Sequence, residues 1–202
     1  MTSPPLRIGK NKKYGTSNPI ARYLMRNLVR RLGDLLPDVS YETVLEVGCG
    51  EGVLLASLRH ALQGRFTIGV DVDLEEIEAA RRNAPFAKCI VADAYHLPFD
   101  DNRFDLVICS EVLEHLGDPD TAVCEIRRVS KRHCLFSVPN EPLWRMLNMA
   151  RGAYLPSLGD TRGHVNHWNS RSFRRFIAAH LEVVKVVRPL PWVAVLCDKG
   201  LR

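Results

Sequence analysis

The stretch VLEVGCGEGVLL, residues 44–55, places Gly48, Gly50 and Gly52 at alternating positions between an apolar β-forming run and a helix-forming one. A strand that turns sharply into a helix through glycines marks the first turn of an open α/β sheet, and such sheets bind ligands at the carboxyl ends of their strands. Lacking Cβ, Gly48 and Gly50 permit positive φ and let a ligand lie against bare backbone. A tight turn without a ligand is the competing reading.

Outward from that turn the same grammar repeats. Residues 43–47 read as a strand, 51–63 as a helix, 66–70 as a strand, 74–83 as a helix, 87–92 and 104–110 as strands, 119–129 as a helix and 134–139 as a strand. This alternation predicts βαβ units in a doubly wound, Rossmann-like α/β fold, its mostly parallel sheet covered by helices on both faces. Beyond Pro139 come a helix-like stretch over 142–154, a polar loop over 155–169, a helix over 171–180 capped by Ser170, and β-forming runs at 181–187 and 192–197. The four residues RPLP between the last two runs predict a hairpin, hence a mixed sheet with an antiparallel last strand. At the other end, Asn18 and Pro19 supply an N-cap and a first helical residue. The helix they open carries apolar Ile20, Tyr23, Leu24, Leu28, Leu32 and Leu35, beside a stripe of Arg22, Arg26 and Arg30.

At 202 residues and 46% hydrophobic content the chain suits one well-buried core. Six cysteines stand singly with no C-x-x-C pair, which excludes the usual zinc and dithiol motifs and reads as small core residues in a reducing compartment. No apolar run reaches the roughly 18 residues that span a bilayer, and the first residues lack a signal-peptide stretch; the expectation is a cytoplasmic protein, with contact at a membrane surface left open. The net charge of +5 hides a division: residues 1–33 carry eight Lys/Arg and no acid, 34–120 carry six against eighteen acids, and 121–202 carry fourteen against five.

Spacing narrows the ligand. The dinucleotide fingerprint G-x-G-x-x-G fails, because the third glycine, Gly52, comes one residue early and Val53 follows it. Glu46, at the entrance to the turn, would repel a phosphate but welcome a cation with an amino group. Asp71 lies twenty-one residues after Gly50 at the end of the second strand, where a carboxylate accepts hydrogen bonds from both ribose hydroxyls. Asp93 ends the third strand, near the place of an adenine amino group.

At EVGCGEG, GVD, ADAYHLPF and FDLVICSEVLEHL the sequence resembles the class I S-adenosylmethionine-dependent methyltransferases of the type 11 group, over roughly residues 40–140. The resemblance implies S-adenosylmethionine as cofactor. Glu46, Gly48, Cys49 and Gly50 would hold its methionine part, Asp71 and Val72 the ribose, and Asp93 with Ala94 the adenine, while Ser110 would line the floor. The KPGG turn usual before the fifth strand in that family is replaced by SKRHC. One domain is expected, with a basic lid and helix at 1–39, the cofactor core at 40–139, an acceptor-side helix and loop at 140–176 and a terminal strand pair at 177–202.

Methyl transfer from a sulfonium is an in-line displacement, so the protein must align the acceptor and, for a hydroxyl, take its proton. Glu111, Glu114 and His115 stand at i, i+3 and i+4, and a helical turn would put them on one face. With His164 they compose a divalent site suited to Mg²⁺ or Mn²⁺, similar to that of metal-assisted O-methyltransferases of the ubiquinone pathway and of small-RNA 2′-O-methyltransferases. A metal-free base drawn from His115, His164 or Glu111 is a second reading, and plain helix packing a third. His167 and Trp168 are candidate acceptor contacts, or an anchor for the loop. Tyr14 and Lys13 fall in a segment that folds over the cofactor in similar enzymes.

The basic ends would steer an anionic acceptor: an acidic small molecule, a lipid-linked or phosphorylated glycan intermediate, or nucleic acid. RNA is disfavoured because no RNA-binding module is appended. The basic amphipathic helix suits a membrane surface or packing on the domain. The sequence thus points to O-methylation of a small-molecule or lipid- or glycan-linked acceptor, against two rivals: a metal-dependent RNA 2′-O-methyltransferase and a non-catalytic cofactor-binding partner subunit.

Overall fold

The computed structural model describes residues 18–150, 157–161 and 163–200; Tyr14 and Lys13 lie outside them. Asn18 Oδ1 accepts the N–H of Ile20 at 2.9 Å and opens α1 (Pro19–Gly33). Its buried stripe is Met25, Leu28 and Leu32, continued by Leu35, whereas Ile20 and Tyr23 are 69% and 70% exposed. At about 100° per residue those two fall on the far side from the Met25 stripe, so the expected apolar face includes two residues that the fold leaves outside.

The sheet consists of β1 (Thr43–Val47), β2 (Phe66–Asp71), β3 (Lys88–Val91), β4 (Phe104–Ser110), β5 (Ser130–Pro139), β6 (Glu182–Val187) and β7 (Trp192–Asp198), in the order β3-β2-β1-β4-β5-β7-β6. The first five strands are parallel, and β7 runs antiparallel to both neighbours. This is the mixed, mostly parallel, Rossmann-like sheet expected from the sequence. Two features of the central part differ from expectation. The helix at 51–63 is two pieces, α2 (Val53–Ser57) and α3 (Arg59–Leu62), because Gly52 at φ 73° keeps the first residues out of the helix and Leu58 departs from helical geometry. Strand β5 starts at Ser130, so the segment SKRHC is strand, not turn.

Around the sheet lie α4 (Leu74–Asn83), α5 (Pro119–Val129), α6 (Leu143–Ala150) and α7 (Ser170–Ala178). Ser170 does not cap α7. Asn169 does, accepting from Arg171 and Ser172 while the Ser172 hydroxyl accepts from the Asn169 N–H, a reciprocal capping box. The Ser170 hydroxyl instead accepts from Arg188 Nε at 2.7 Å.

Alternation along the strands divides the interior into two cores. Val44, Leu106, Ile108 and Leu135 pack against α1 to α4, while Leu45, Val107, Cys109 and Phe136 pack against α5 and α7. Five cysteines are buried in these cores; Cys124 is exposed, contrary to its reading as a core residue. Among the described residues no helix is long and apolar enough to cross a membrane. Strand order reverses between β1 and β4, and at the carboxyl ends of that pair the sheet opens a crevice.

Candidate active site at the switch point of the sheet

The glycine turn is fixed by both neighbouring layers. The N–H groups of Gly48 and Cys49 both donate to the Val70 carbonyl, at 2.8 and 2.9 Å. A Cβ on Gly48, at φ 73°, would overlap the Val112 side chain, and one on Gly52 would come within 3.0 Å of the Ala80 backbone in α4. These two glycines let flanking segments close in. Gly50 has nothing nearer its missing Cβ than Glu76 Oε2 at 3.8 Å, so its backbone is left to the crevice.

That crevice is a cavity of about 490 Å³, within the range of small-molecule sites. All nine residues expected at the cofactor line it: Glu46, Gly48, Cys49, Gly50, Asp71, Val72, Asp93, Ala94 and Ser110. Glu46 is 3% exposed, and its Oε2 has no hydrogen-bond partner among the described residues. Burial, with the Cys89 thiol and the Asp71 carboxylate nearby, pushes its carboxyl well above the usual range. Asp71 Oδ2 accepts the Gly50 N–H at 2.8 Å and Oδ1 the Asp73 N–H at 3.1 Å. Each oxygen keeps a second lone pair for a ribose hydroxyl. Asp93 Oδ1 accepts the Tyr95 N–H, which folds the loop after β3 around the rim. Ser110 shares a 2.7 Å hydrogen bond with the Ser137 hydroxyl on β5.

The SEVLEH segment is not an α-helical turn. Glu111 sits at φ 62° and only Leu113–His115 form a 3₁₀ turn, so spacing of i, i+3 and i+4 does not place the three side chains on one face. Glu111 Oε2 accepts from Trp192 Nε1 at 2.6 Å. Its carboxylate is outside the close grouping of Glu114, His115 and His164, whose ligand atoms lie within 4.8 Å of one another. His115 lines the cavity, and its Nδ1 is 2.9 Å from the Gly163 carbonyl. A carbonyl only accepts, so Nδ1 carries the proton and Nε2 presents a lone pair, 4.0 Å from Glu114 Oε1.

The loop that delivers Gly163 and His164 is latched twice. Backbone N–H groups of Val165 and Asn166 donate to the Glu114 carbonyl, and Asn166 Nδ2 donates to Leu113 and Leu116 carbonyls at 3.1 and 2.6 Å. Thr161 accepts from Trp144 Nε1, and Trp144 stacks on His164 with ring centres 6.2 Å apart. His167 and Trp168 serve that loop. His167 Nε2 pairs with Asp160 at 2.8 Å, and Trp168 packs on Phe173 and Phe176; neither lines the cavity. Sequence reading overlooked Val112, Tyr95 and Leu116 as lining residues, though each lies inside a recognised motif. It also overlooked Asn166 and Trp192, which no local signal marks.

Residues 45–138 match the family model described as a methyltransferase domain. Over those residues the chain is similar to methyltransferases. It is 31% identical over 139 residues to a ubiquinone biosynthesis O-methyltransferase of Serratia proteamaculans, covering 65% of this chain and 54% of that one. It is 33% identical over 138 residues to an uncharacterised 37.1 kDa protein of transposon TN4556 in Streptomyces fradiae, covering 66% and 38%. The chain spans about half the length, or less, of these curated relatives. Magnesium protoporphyrin IX methyltransferase from Synechocystis PCC 6803, solved with bound SAH, shares the fold with a TM-score of 0.72 at 18% identity, over 94% of this chain and 92% of that one.

The cavity fits S-adenosylmethionine by its own chemistry. Among the described residues no Lys or Arg lines it, while Glu46 and Asp71 do, so it favours a cation over a phosphate. The partnerless Glu46 oxygen is the strongest single indication, because a buried carboxylate oxygen calls for a donor such as an ammonium group.

Proposed function

We propose that this methyltransferase moves the methyl group of S-adenosylmethionine to a hydroxyl of a small-molecule or lipid- or glycan-linked acceptor, with His115 as the base. The observation that carries the reading is that His115, held by the Gly163 carbonyl with its Nε2 lone pair available, lines the same cavity as Glu46 and Asp71. S-adenosylmethionine, when bound, supplies an electrophilic methyl carbon. Glu46 binds its cationic amino-acid part, Asp71 and Val72 hold the ribose, Asp93 and Ala94 border the adenine, and Ser110 and Cys49 form floor and wall. His115 Nε2 accepts the acceptor's hydroxyl proton, a step worth about 10² to 10⁴-fold. An anionic or surface-bound acceptor is supported by the basic ends and by α1, whose exposed Ile20 and Tyr23 stand beside exposed Arg22 and Arg26.

The grouping of Glu114, His115 and His164 favours a second reading, in which one carboxylate and two imidazoles hold a divalent cation such as Mg²⁺ or Mn²⁺. Such an ion would supply Lewis-acid polarisation of the acceptor oxygen.

The test incubates purified protein with methyl-labelled S-adenosylmethionine and extract separated into lipid, polar small-molecule, glycan, RNA and protein fractions, with and without chelator. Label in a lipid, glycan or small-molecule fraction that resists chelator and falls at least about a hundredfold in His115→Ala supports the base reading. Chelator-sensitive label favours the metal reading, and if it appears in RNA, a 2′-O-methyltransferase. Cofactor binding without label in any fraction counts against the enzyme and for a partner subunit.

A further inference from the structure

A second constellation lies on the outside of α5, away from the methyltransferase cavity. Asp120 and Cys124 are four residues apart in α5 and share a face. The imidazole of His180, just beyond α7, bridges them: Nε2 is 2.9 Å from Asp120 Oδ1, and Nδ1 is 3.8 Å from Cys124 Sγ. The ring of Phe176 packs edge-on against His180 with centres 5.5 Å apart, which fixes its plane. Because a carboxylate only accepts, Nε2 carries the proton, and Nδ1 is left to accept from the Cys124 thiol. The order of roles is that of a nucleophile, a base and an orienting carboxylate.

Cys124 and His180 line a cavity of about 460 Å³ that shares no lining residue with the first. Its lining is cationic. Lys199 is pinned there by Asn102 Oδ1 and the Ser130 carbonyl at 2.6 and 2.8 Å. Arg127 joins it, with a buried Nε that has no hydrogen-bond partner among the described residues. Among the described residues Glu182 supplies the single carboxylate in the lining. Such a cavity suits an anion.

Two chemistries use an activated thiol. Acyl transfer needs donors preorganised for an oxyanion, but Cys124 lies inside α5, where backbone N–H groups are consumed by the helix. Thiol–disulfide exchange needs only a thiolate, access and a stabilised leaving sulfur. We propose that Cys124, His180 and Asp120 form a thiol-exchange site at which an anionic low-molecular-weight disulfide forms a mixed disulfide with Cys124. The Cys124 proton passes to His180 Nδ1, Cys124 Sγ bonds to one sulfur of the disulfide, and the S–S bond breaks. Its electron pair leaves on the other sulfur, which takes the proton as a free thiol. Cys124 is thereby oxidised and the departing half reduced.

The five other cysteines are buried, so native protein offers one accessible thiol. The test mixes folded protein with dithiobis(nitrobenzoate), which is dianionic, and with neutral dithiodipyridine, following thiol release by absorbance and locating the adduct by peptide mass spectrometry. Expected is one rapid equivalent, on Cys124, with a preference for the anionic reagent several-fold above that of a small model thiol. His180→Gln should slow it by about tenfold or more, and Arg127→Gln should erase the anionic preference while leaving the neutral rate. Retained S-adenosylmethionine binding verifies that the variants fold. A rapid equivalent that survives Cys124→Ser, a wild-type rate in His180→Gln, or no anionic preference would each overturn the proposal.

Discussion

Replacing Glu46 by Gln removes one charge and almost no volume, and its two effects should have opposite signs. Glu46 is 3% exposed and one of its oxygens has no partner among the described residues, so in the cofactor-free protein burial, the Cys89 thiol and Asp71 all oppose its ionisation. A carboxyl whose folded pKa lies above the unfolded value, near 4.3, holds its proton more tightly when folded. Ionisation therefore costs folding free energy, and the cost accrues as pH rises from about 4 through the raised value. Cofactor-free Glu46→Gln should thus melt above wild type at neutral pH, and the difference should vanish below about pH 4. With cofactor the sign reverses, because a hydrogen bond to a charged group contributes about 1.5 to 3 kcal/mol, or about ten- to a hundredfold in Kd. Isothermal titration calorimetry with S-adenosylmethionine, paired with thermal melts across pH, reads both. A variant that binds within twofold of wild type and gains no stability at pH 7 would refute the place given to Glu46.

Asp71→Ala removes the acceptor for the Gly50 and Asp73 N–H groups as well as the proposed ribose contact; cofactor affinity should fall about ten- to a hundredfold by calorimetry. Gly48→Ala forces a Cβ onto Val112 at φ 73° and should cost about 1 to 3 kcal/mol of stability, seen as a lower urea midpoint with an unchanged m-value. Burial pushes the Asp105 carboxyl upward, but N–H groups of Glu42 and Thr43, the Thr43 hydroxyl and Lys131 outweigh it and hold it at about 2. The stabilisation is complete above the unfolded value near 3.9 and is lost as pH falls through about 2. Asp105→Asn should therefore cost up to about 2 kcal/mol at pH 7 by urea denaturation, and progressively less between pH 4 and 2.

Some features were legible because their causes lie within a few residues. The glycine turn follows from residues 44–55, the Asn18 cap follows from a side chain that reaches its own backbone, and the strand–helix alternation follows from hydrophobic period. Since the cofactor crevice of a doubly wound sheet sits at its switch point, the strand ends carrying Glu46, Asp71 and Asp93 were legible with it. Errors came where local rules were close to balanced. Asn169 and Ser170 are both good caps, and a distant Arg188 engaged the serine.

The site around His115 was only half legible. Spacing assumed an α-helical period for Glu111, Glu114 and His115, but a positive φ at Glu111 broke it, and Trp192, 81 residues away, took that carboxylate. Likewise Cys124 reads as one more apolar-run cysteine until the fold brings His180 across to it, 56 residues later. The sequence by itself determined the strands, the Asn18 cap and the acidic strand ends, because backbone sterics, side-chain period and short-range hydrogen bonds act within a turn or two. Only the tertiary structure decided which carboxylate faces which imidazole, because those pairings depend on chain segments fifty residues apart being latched at a few ångströms.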